Sequence, residues 1–448
     1  MENAMNASDQ VSPDVATKPD KVGLYGWYVV VALMLCEAVS ALGAKLPFIL
    51  VESLKADLQF TDTQIGFITG PAYSLTFAIA ALPLAKIADK YLRTRVISIS
   101  ILVWAAFMAL GSMAQGIATF GLSRIGGAIG DAGLSPATHS LIAGYTTPVT
   151  RPKAMAIYSL GTAFGSIAAL MVGGYIADTY GWRASLQIAA VGGVLVSIII
   201  ATTIRDPGRK GDVGARAGLP KGDLKSILGS APIRNIIIGG MLMGLSAGAF
   251  DRWAPAYIMR TFDLSATVTG ASFGGVAGLT GISGLLLGGF VGGWLAKRRF
   301  SNTFRMLAIV FFVATLIQFA SLMVTENYPL FLGLTAASIL FVAFYFAPTY
   351  AAVQSLSDPS GRSFAAAVTL FAVNGIGIAS GAFVVGLLSD FFRTYAADDS
   401  LRWALITMTF IKFGAVWHYY LAARAVDKME ADYDILDQAE REFTGNQT

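Results

Sequence analysis

The chain has 448 residues, of which 55% are hydrophobic and only 13% are charged. A soluble domain carries about 25% charged residues, so this composition excludes an ordinary soluble protein and indicates an integral membrane protein. The net charge of +4 does not indicate a nucleic-acid partner, because the basic residues cluster in loops between apolar segments, where they set membrane orientation. The single cysteine, Cys36, rules out an intramolecular disulfide and a thiolate metal site. We expect neither a metal nor a cofactor.

Twelve apolar segments are long enough to cross a bilayer, since a spanning helix needs about 20 residues. The sequence therefore predicts an all-α membrane protein in which two six-helix bundles are joined by a polar linker. The first six helices are predicted near residues 24–50, 61–87, 96–114, 117–145, 152–176 and 184–204. The predicted units are an N-terminal tail at 1–23, a first bundle at 24–204, a linker at 205–231, a second bundle at 232–425 and an acidic tail at 426–448.

Basic residues concentrate in two loops, one between predicted helices two and three and the other between helices eight and nine. Loops rich in Lys and Arg stay on the cytoplasmic side of a membrane. Both chain termini are therefore expected to be cytoplasmic. The short loops and short linker favour a bacterial inner-membrane protein.

Predicted helix four carries Arg124 and Asp131 inside an otherwise apolar segment. The two residues are seven positions apart, or two helical turns, so they share one face of the helix. An ionisable group inside a membrane costs several kcal/mol unless it faces protein or a water-filled cavity. This helix is therefore expected to line a polar space. The alternative is that Arg124 and Asp131 only satisfy each other or nearby carbonyls.

An internal repeat relates the two bundles. Four helix ends share one small-residue pattern, namely Ala85-x-x-x-Asp89, Gly174-x-x-x-Asp178, Gly293-x-x-x-Lys297 and Gly386-x-x-x-Asp390. The first and third are about 208 residues apart and the second and fourth about 212, which indicates two halves in parallel repeat. The same offset places Lys45 opposite Asp251 or Arg252. Charges thus lie at equivalent depths in the two halves, where transporters of this kind bind substrate.

The loop from Ala85 to Arg95 resembles the signature loop of the major facilitator superfamily, Gly-x-x-x-Asp-Arg-x-Gly-Arg-Arg. Its charged positions are occupied by Asp89, Lys90, Arg93 and Arg95. The resemblance implies the twelve-helix fold of that family and a cytoplasmic gate made by these four residues. Lys297 replaces the aspartate in the second half, so a gate there must use other partners.

Within the superfamily, the chain is most similar to the Spinster-like group. The resemblance rests on residues 52–58, 62–70, 130–136, 156–161 and 371–374. It implies a transporter related to proteins associated with lysophospholipid and sphingolipid movement. Two features depart from the group. Lys45 follows Gly43 and Ala44 where the group carries an Asp-Arg pair, and Asp131 stands where the group has Glu.

The resemblance also implies that helices one, four, seven and ten line a central cavity, and most of the intramembrane charges fall on those helices. We expect Asp131 to exchange a proton between two open states, with Glu37 as a second proton-coupling candidate. Lys412, in predicted helix twelve, is expected to snorkel or to meet a lipid phosphate. The predicted substrate-binding residues are Lys45, Arg124, Asp251, Arg252, Tyr73, Tyr158, Trp253, Tyr257, Tyr345, Tyr350 and Asn374.

The predicted function is secondary active transport of an amphipathic organic anion by alternating access, coupled to protons. A Spinster-type transporter of lysophospholipid or sphingolipid and an uncoupled facilitator both stay open as alternatives. An enzyme is not expected, because the chain has no His-Glu-x-x-His or Gly-x-Ser-x-Gly motif, and it also lacks an ATP-binding P-loop. The expected partners are a small or lipid-like substrate, protons and membrane lipids, and the expected state is a monomer.

Overall fold

A computed structural model describes residues 22–207, 224–358 and 361–445, which form helices and no strands. Residues 1–21 of the predicted N-terminal tail, 208–223 of the predicted linker and 446–448 of the predicted acidic tail lie outside the described residues. The first half consists of α1 Leu24–Ile49, α2 Val51–Leu58, α3 Asp62–Phe67, α4 Tyr73–Lys90, α5 Arg93–Ser112, α6 Ile117–Ala132, α7 Leu134–Tyr145, α8 Arg151–Tyr180 and α9 Trp182–Thr203.

The second half repeats this arrangement after a short helix, α10. Its last helix extends through most of the acidic segment that the sequence predicted as a tail. The helices are α10 Leu224–Gly229, α11 Ala231–Phe262, α12 Ala266–Ala296, α13 Phe300–Met323, α14 Tyr328–Ala343, α15 Phe346–Leu356, α16 Arg362–Leu370, α17 Ala379–Ala396 and α18 Ser400–Gly445.

The helices are consistent with the predicted twelve crossings. Within the described residues, ten continuous helical stretches are long and apolar enough to span a membrane. The last stretch, Phe364–Asp432, contains α17 and the apolar part of α18 and accounts for two crossings. Helices α6 and α7 meet at Gly133 and together form the predicted fourth crossing.

Four crossings are interrupted near the middle of the molecule. A π-helical turn at Ile68–Ala72 joins α3 to α4, and a second at Phe371–Ile378 joins α16 to α17. The other two interruptions are at Gly133, and between α14 and α15. Pro71 lies inside the first π-helical turn. Such local changes of helix geometry often occur at functional sites.

Glycines allow the two halves to pack closely along two helix pairs. A Cβ on Gly270 of α12 would lie 1.9 Å from the carbonyl oxygen of Leu170 in α8. A Cβ on Gly66 of α3 would lie 2.4 Å from the carbonyl oxygen of Ala382 in α17. Since each contact joins one half to the other, these positions admit no larger residue without separating the helices.

Two aspartates join the halves at one end of the molecule. Asp390 of α17 accepts hydrogen bonds from the backbone N–H groups of Asp62 (3.3 Å) and Thr63 (2.8 Å), at the start of α3. Asp178 of α8 accepts them from the N–H groups of Ala266 (3.3 Å) and Thr267 (2.7 Å), at the start of α12. A carboxylate is favourable there because a helix N-terminus has unpaired N–H groups and partial positive charge.

Arg260 of α11 reinforces this end. Its guanidinium donates to both carboxylate oxygens of Asp62, at 2.9 Å each, and to Glu52 at 2.8 Å. We call this region, formed by Glu52, Asp62, Asp178, Arg260 and Asp390, the sealed end. One hydrophobic core cluster spans both halves, whereas the other two clusters each belong to a single half.

We expect Gly270→Val to destabilise the folded protein by about 1–3 kcal/mol, as overpacking of a close contact does. The substituted side chain would collide with backbone, which cannot rotate away. Gly275→Val is the matched control on α12, because a Cβ at Gly275 meets no atom within 4 Å. The measurement is the thermal unfolding midpoint of both variants in detergent. Equal midpoints for the two variants would contradict the close contact.

Candidate functional site

A cavity of about 450 Å³ lies between the two halves, beside the helix interruptions. Its first-half lining includes Thr69 and Tyr73, on or next to the first π-helical turn, and Asp131 of α6. The second half contributes Arg252 of α11 and Asn374 of the second π-helical turn. The cavity therefore brings together several of the residues that the sequence singled out.

Asp131 is buried and is held by two hydroxyl groups. Tyr73 donates a hydrogen bond of 2.7 Å to one carboxylate oxygen, and Ser40 of α1 donates to the other. Only 7% of Asp131 is exposed, so these hydroxyls replace water around the carboxylate. Hydrogen bonds of this kind favour the charged form, whereas burial favours the neutral form.

Arg124 contacts Asp131 indirectly, through Tyr73. Its guanidinium donates to the carbonyl oxygen of Gly43 at 3.0 Å and lies 4.6 Å from the centre of the Tyr73 ring. Within the described residues, its Nε and Nη2 atoms have no hydrogen-bond partner although both are buried. The two charges therefore do not form a simple clamp, because the tyrosine stacks on one and donates to the other.

Lys45 of α1 and Asp251 of α11 form an ion pair that joins the two halves. The repeat offset predicted that these positions would be equivalent in depth. The side chains remain 25% and 47% exposed, respectively, so solvent weakens their attraction. The neighbouring Arg252 lies 5.4 Å from the centre of the Phe48 ring, and among the described residues its Nη1 atom has no hydrogen-bond partner.

Glu37 lies in a separate cluster inside the first half. Its carboxylate accepts hydrogen bonds from Tyr158 at 2.6 Å and Thr162 at 2.8 Å, both on α8. The Tyr158 hydroxyl also accepts from Thr138 at 3.2 Å, and its ring packs against His139. This network ties α1 to α7 and α8, and it does not contribute to the lining of the central cavity.

The predicted aromatic residues of the second half fall into two groups. Trp253 donates to the carbonyl oxygen of Ala382 at 2.9 Å, and Tyr257 packs on Phe331; both are buried in the core cluster that joins the halves. Tyr345, in the break between α14 and α15, is buried, packs on Phe311 of α13 and lines a different cavity, within the second half. Tyr350 accepts a hydrogen bond of 3.3 Å from Asn374 and so contacts a cavity residue.

The loop between α4 and α5 lies at the end opposite the sealed end. Arg93 is buried there and binds within its own half: its backbone N–H donates to Asp206 at 2.7 Å and its guanidinium donates to the Ser140 carbonyl at 2.8 Å. Asp89, Lys90 and Arg95 are exposed. The four predicted gate residues thus comprise one structural arginine and three surface charges.

Sequence reasoning missed Ser40 and the charges of the sealed end. Ser40 lies three residues after Glu37 on α1, so helical spacing placed it near the polar face. Arg260 is not among the predicted site residues, and Asp62 entered the sequence analysis only within the motif at residues 62–70. The repeat was the available signal for the sealed end, since it aligned Asp178 with Asp390.

Comparisons with known proteins identify the family. Residues 33–382 match the model of the Major Facilitator Superfamily. An MFS-type efflux pump of Mycolicibacterium smegmatis is 28% identical over 431 residues, which cover 92% of this chain and 97% of that protein. The protein spinster of Drosophila melanogaster is 22% identical over 423 residues, covering 90% of this chain and 69% of that protein.

A solved structure shares the fold. It is the crystal structure of a bacterial homologue of the human lysosomal transporter Spinster, in an inward-facing and unoccupied conformation. It superimposes with a TM-score of 0.82 at 20% sequence identity and covers 91% of this chain and 99% of that chain. The predicted resemblance to the superfamily and to its Spinster-like group is confirmed, and the relatives are transporters and not enzymes.

We expect Asp251→Asn to destabilise the protein by no more than about 1 kcal/mol, because the pair with Lys45 is partly exposed to solvent. In a variant that already carries Asp251→Asn, Lys45→Gln should cause no further loss, since the partner charge is gone. The measurement is a double-mutant cycle on thermal unfolding midpoints in detergent. Strictly additive effects of the two substitutions would show that the charges do not interact.

Proposed function

Because the chain belongs to the major facilitator superfamily, whose members are multi-pass membrane transporters, we propose that it is a secondary active transporter coupled to protons. It moves an amphipathic organic anion across the bacterial inner membrane by alternating access. One observation carries the proposal: the central cavity holds a buried carboxyl group, Asp131, linked through Tyr73 to the incompletely bonded cation Arg124.

Asp131 is suited to bind and release a proton during the cycle. Its two hydroxyl donors and the nearby Arg124 favour the carboxylate, while removal from water favours the neutral acid. These contributions oppose each other, so a modest rearrangement around Ser40 or Tyr73 changes the balance. Glu37 is the second candidate, although its two hydroxyl donors hold it inside the first half.

The cations near the cavity, of which Arg252 lines it, support an anionic substrate. Lys45 is neutralised by Asp251, but Arg124 and Arg252 keep buried guanidinium nitrogens without partners in the part of the chain that the structure describes. Guanidinium groups bind carboxylate and phosphate through paired hydrogen bonds. We therefore assign substrate binding first to Arg124, Arg252, Tyr73 and Asn374.

A lipid-like substrate is the second candidate. Leu370 and Phe371 line the cavity and remain 50% and 54% exposed, which provides apolar surface for an acyl chain. The similarity to spinster proteins supports the same candidate. Lysophospholipids and sphingoid bases therefore belong in any substrate panel beside small organic anions.

We place the end opposite the sealed end in the cytoplasm, because it carries the basic loops and such loops stay on the cytoplasmic side. Both termini then lie in the cytoplasm, and the described conformation is closed toward the outside. In the opposite conformation the loop residues Asp89, Lys90 and Arg95 hold the cytoplasmic side closed, with Arg93 fixing the loop to its own half. Nothing in this scheme requires a second subunit, so we propose a monomer.

We expect Asp131→Asn to abolish the pH dependence of transport, because the amide cannot exchange a proton. Proteoliposomes with an internal pH indicator measure proton movement when substrate is added. The substrate is the strongest stabiliser from a thermal-unfolding panel of organic anions and lysophospholipids. Asp131→Glu is the matched control and should keep coupling.

Two results would reject the coupling proposal. If Asp131→Asn transports with the wild-type rate and pH profile, Asp131 is not the coupling residue. If the wild-type protein moves substrate without moving protons, the chain is an uncoupled facilitator.

Arg93 and Arg95 should respond differently to truncation. Arg93→Ala should destabilise the protein by about 1–3 kcal/mol, because it removes hydrogen bonds of a buried charged group. Arg95→Ala should leave the unfolding midpoint unchanged and slow transport. The paired measurements are the midpoint in detergent and the transport rate in proteoliposomes. A wild-type transport rate for Arg95→Ala would remove Arg95 from the proposed gate.

A further inference from the structure

A second cavity, of about 380 Å³, lies within the second half. Its wall is formed by residues of α11, α12, α13, α14, α15, α18 and the second π-helical turn. Most of the wall surface is apolar, with Phe250, Ile339 and Phe346 among the lining residues. Its volume falls in the range of small-molecule sites, about 300–1,000 Å³. Its polar lining residues include Asp251, Ser338 and Tyr345 as well as Gln318 of α13 and Lys412 of α18, which lie in the wall of the cavity.

Lys412 is completely buried, which differs from the expectation that it snorkels to the membrane surface. Its exposed fraction is 0% and that of Gln318 is 3%. The ammonium group donates to the Gln318 side-chain oxygen. Over residues 22–207, 224–358, 361–362 and 364–432, whose side chains are described, it forms no ion pair with a carboxylate.

Among the described residues that line this cavity, the one carboxylate is already neutralised. Asp251 lines the end of the cavity that faces the other half, and there it pairs with Lys45. The charge of Lys412 is therefore uncompensated by the side chains around the cavity.

An uncompensated ammonium inside a membrane protein is costly. Removing such an ion from water costs several kcal/mol even after relaxation, and one neutral amide offsets only part of that cost. A bound anion would compensate the charge and would use the two free donors that Lys412 keeps beside its bond to Gln318. The apolar wall would at the same time take up the uncharged part of the same ligand.

We propose that this cavity is a second binding site, in which Lys412 and Gln318 hold the single anionic group of an amphipathic molecule. The anionic group is a carboxylate or a phosphate, and its apolar body extends between α11, α12 and α14 toward Asp251. The lining of this cavity shares no residue with that of the cavity that contains Asp131, and the proposed binding requires neither proton coupling nor transport.

Gly281 provides a way to block this cavity without disturbing the fold. It lies on α12 in the cavity wall, and a Cβ added there meets no atom within 4 Å. Gly275, on the same helix, has equally free space but does not line the cavity. Gly281→Met should therefore fill the site, while Gly275→Met is its matched control.

The experiment measures binding to the purified full-length protein in detergent by isothermal titration. The probes are 4-phenylbutyrate, phenyl phosphate and the neutral 4-phenylbutanamide. We expect at least one anion to bind wild type more tightly than the amide, and the preferred anion distinguishes carboxylate from phosphate. Lys412→Met should weaken that anion at least tenfold and leave the amide unchanged. Gly281→Met should abolish binding of all three probes, and Gly275→Met should bind them as wild type does.

Several outcomes would overturn the second site. The proposal fails if Lys412→Met or Gly281→Met binds the anions as tightly as the wild-type protein does. It also fails if the wild-type protein binds none of the probes. Loss of anion binding in Arg252→Met but not in Lys412→Met would place the anion in the central cavity instead. If Lys412→Met fails to fold, Gly281→Met and its control still decide the question.

Failure of this proposal is distinguishable from failure of the transport proposal. Asp131→Asn should bind 4-phenylbutyrate or phenyl phosphate at the Lys412 site with wild-type affinity, whatever its effect on transport. Conversely, Lys412→Met tests anion binding without altering any residue that lines the central cavity.

Discussion

A charged side chain inside a membrane must be paired, hydrogen-bonded or exposed to a polar space, because lipid offers it no other partner. Most intramembrane charges of this protein satisfy the condition visibly. Asp131 has two hydroxyl donors, and Lys45 has Asp251. Arg124, Arg252 and Lys412 satisfy it only in part. All three are cations, and two of them, Arg252 and Lys412, line cavities. Because the described side chains satisfy their charge and donors only in part, we infer that anions are the ligands.

The same constraint shapes the contacts between the two halves. Helix ends carry unpaired N–H groups, and at the sealed end those of α3 and α12 are capped by aspartates from the opposite half. The two caps are equivalent in the repeat, as are the helix pairs that carry them. Close backbone approach at Gly66 and Gly270 brings each aspartate within reach. The seal is therefore a consequence of the duplication.

Much of this arrangement could be predicted from the sequence, since apolar length predicts crossings and equal offsets reveal a repeat. The equivalent depth of Lys45 and Asp251 also followed from the offset, whereas their ion pair did not. The role of Tyr73 as the bridge between Arg124 and Asp131 did not, because helical spacing places residues on a face but does not choose their rotamers. Trp253 and Tyr257 show a related limit: an aromatic residue in an apolar helix has the same pattern whether it packs in the core or faces a cavity. The burial of Lys412 depended on how α18 rotates against α13, which one helix alone does not determine.

The strengths of the contacts at the sealed end are consistent with a protein that changes conformation. A helix cap contributes about 0.5–2 kcal/mol, and two states can exchange only if they differ by a few kcal/mol. The halves are held at the sealed end by two such caps, the Arg260 network and close helix packing, while two of the hydrophobic clusters stay within single halves. Opening the seal thus exposes polar groups that water can satisfy. It divides the hydrophobic cluster that spans both halves but leaves the other two clusters intact. This division allows the halves to move as bodies about the central cavity, which is the motion that alternating access requires.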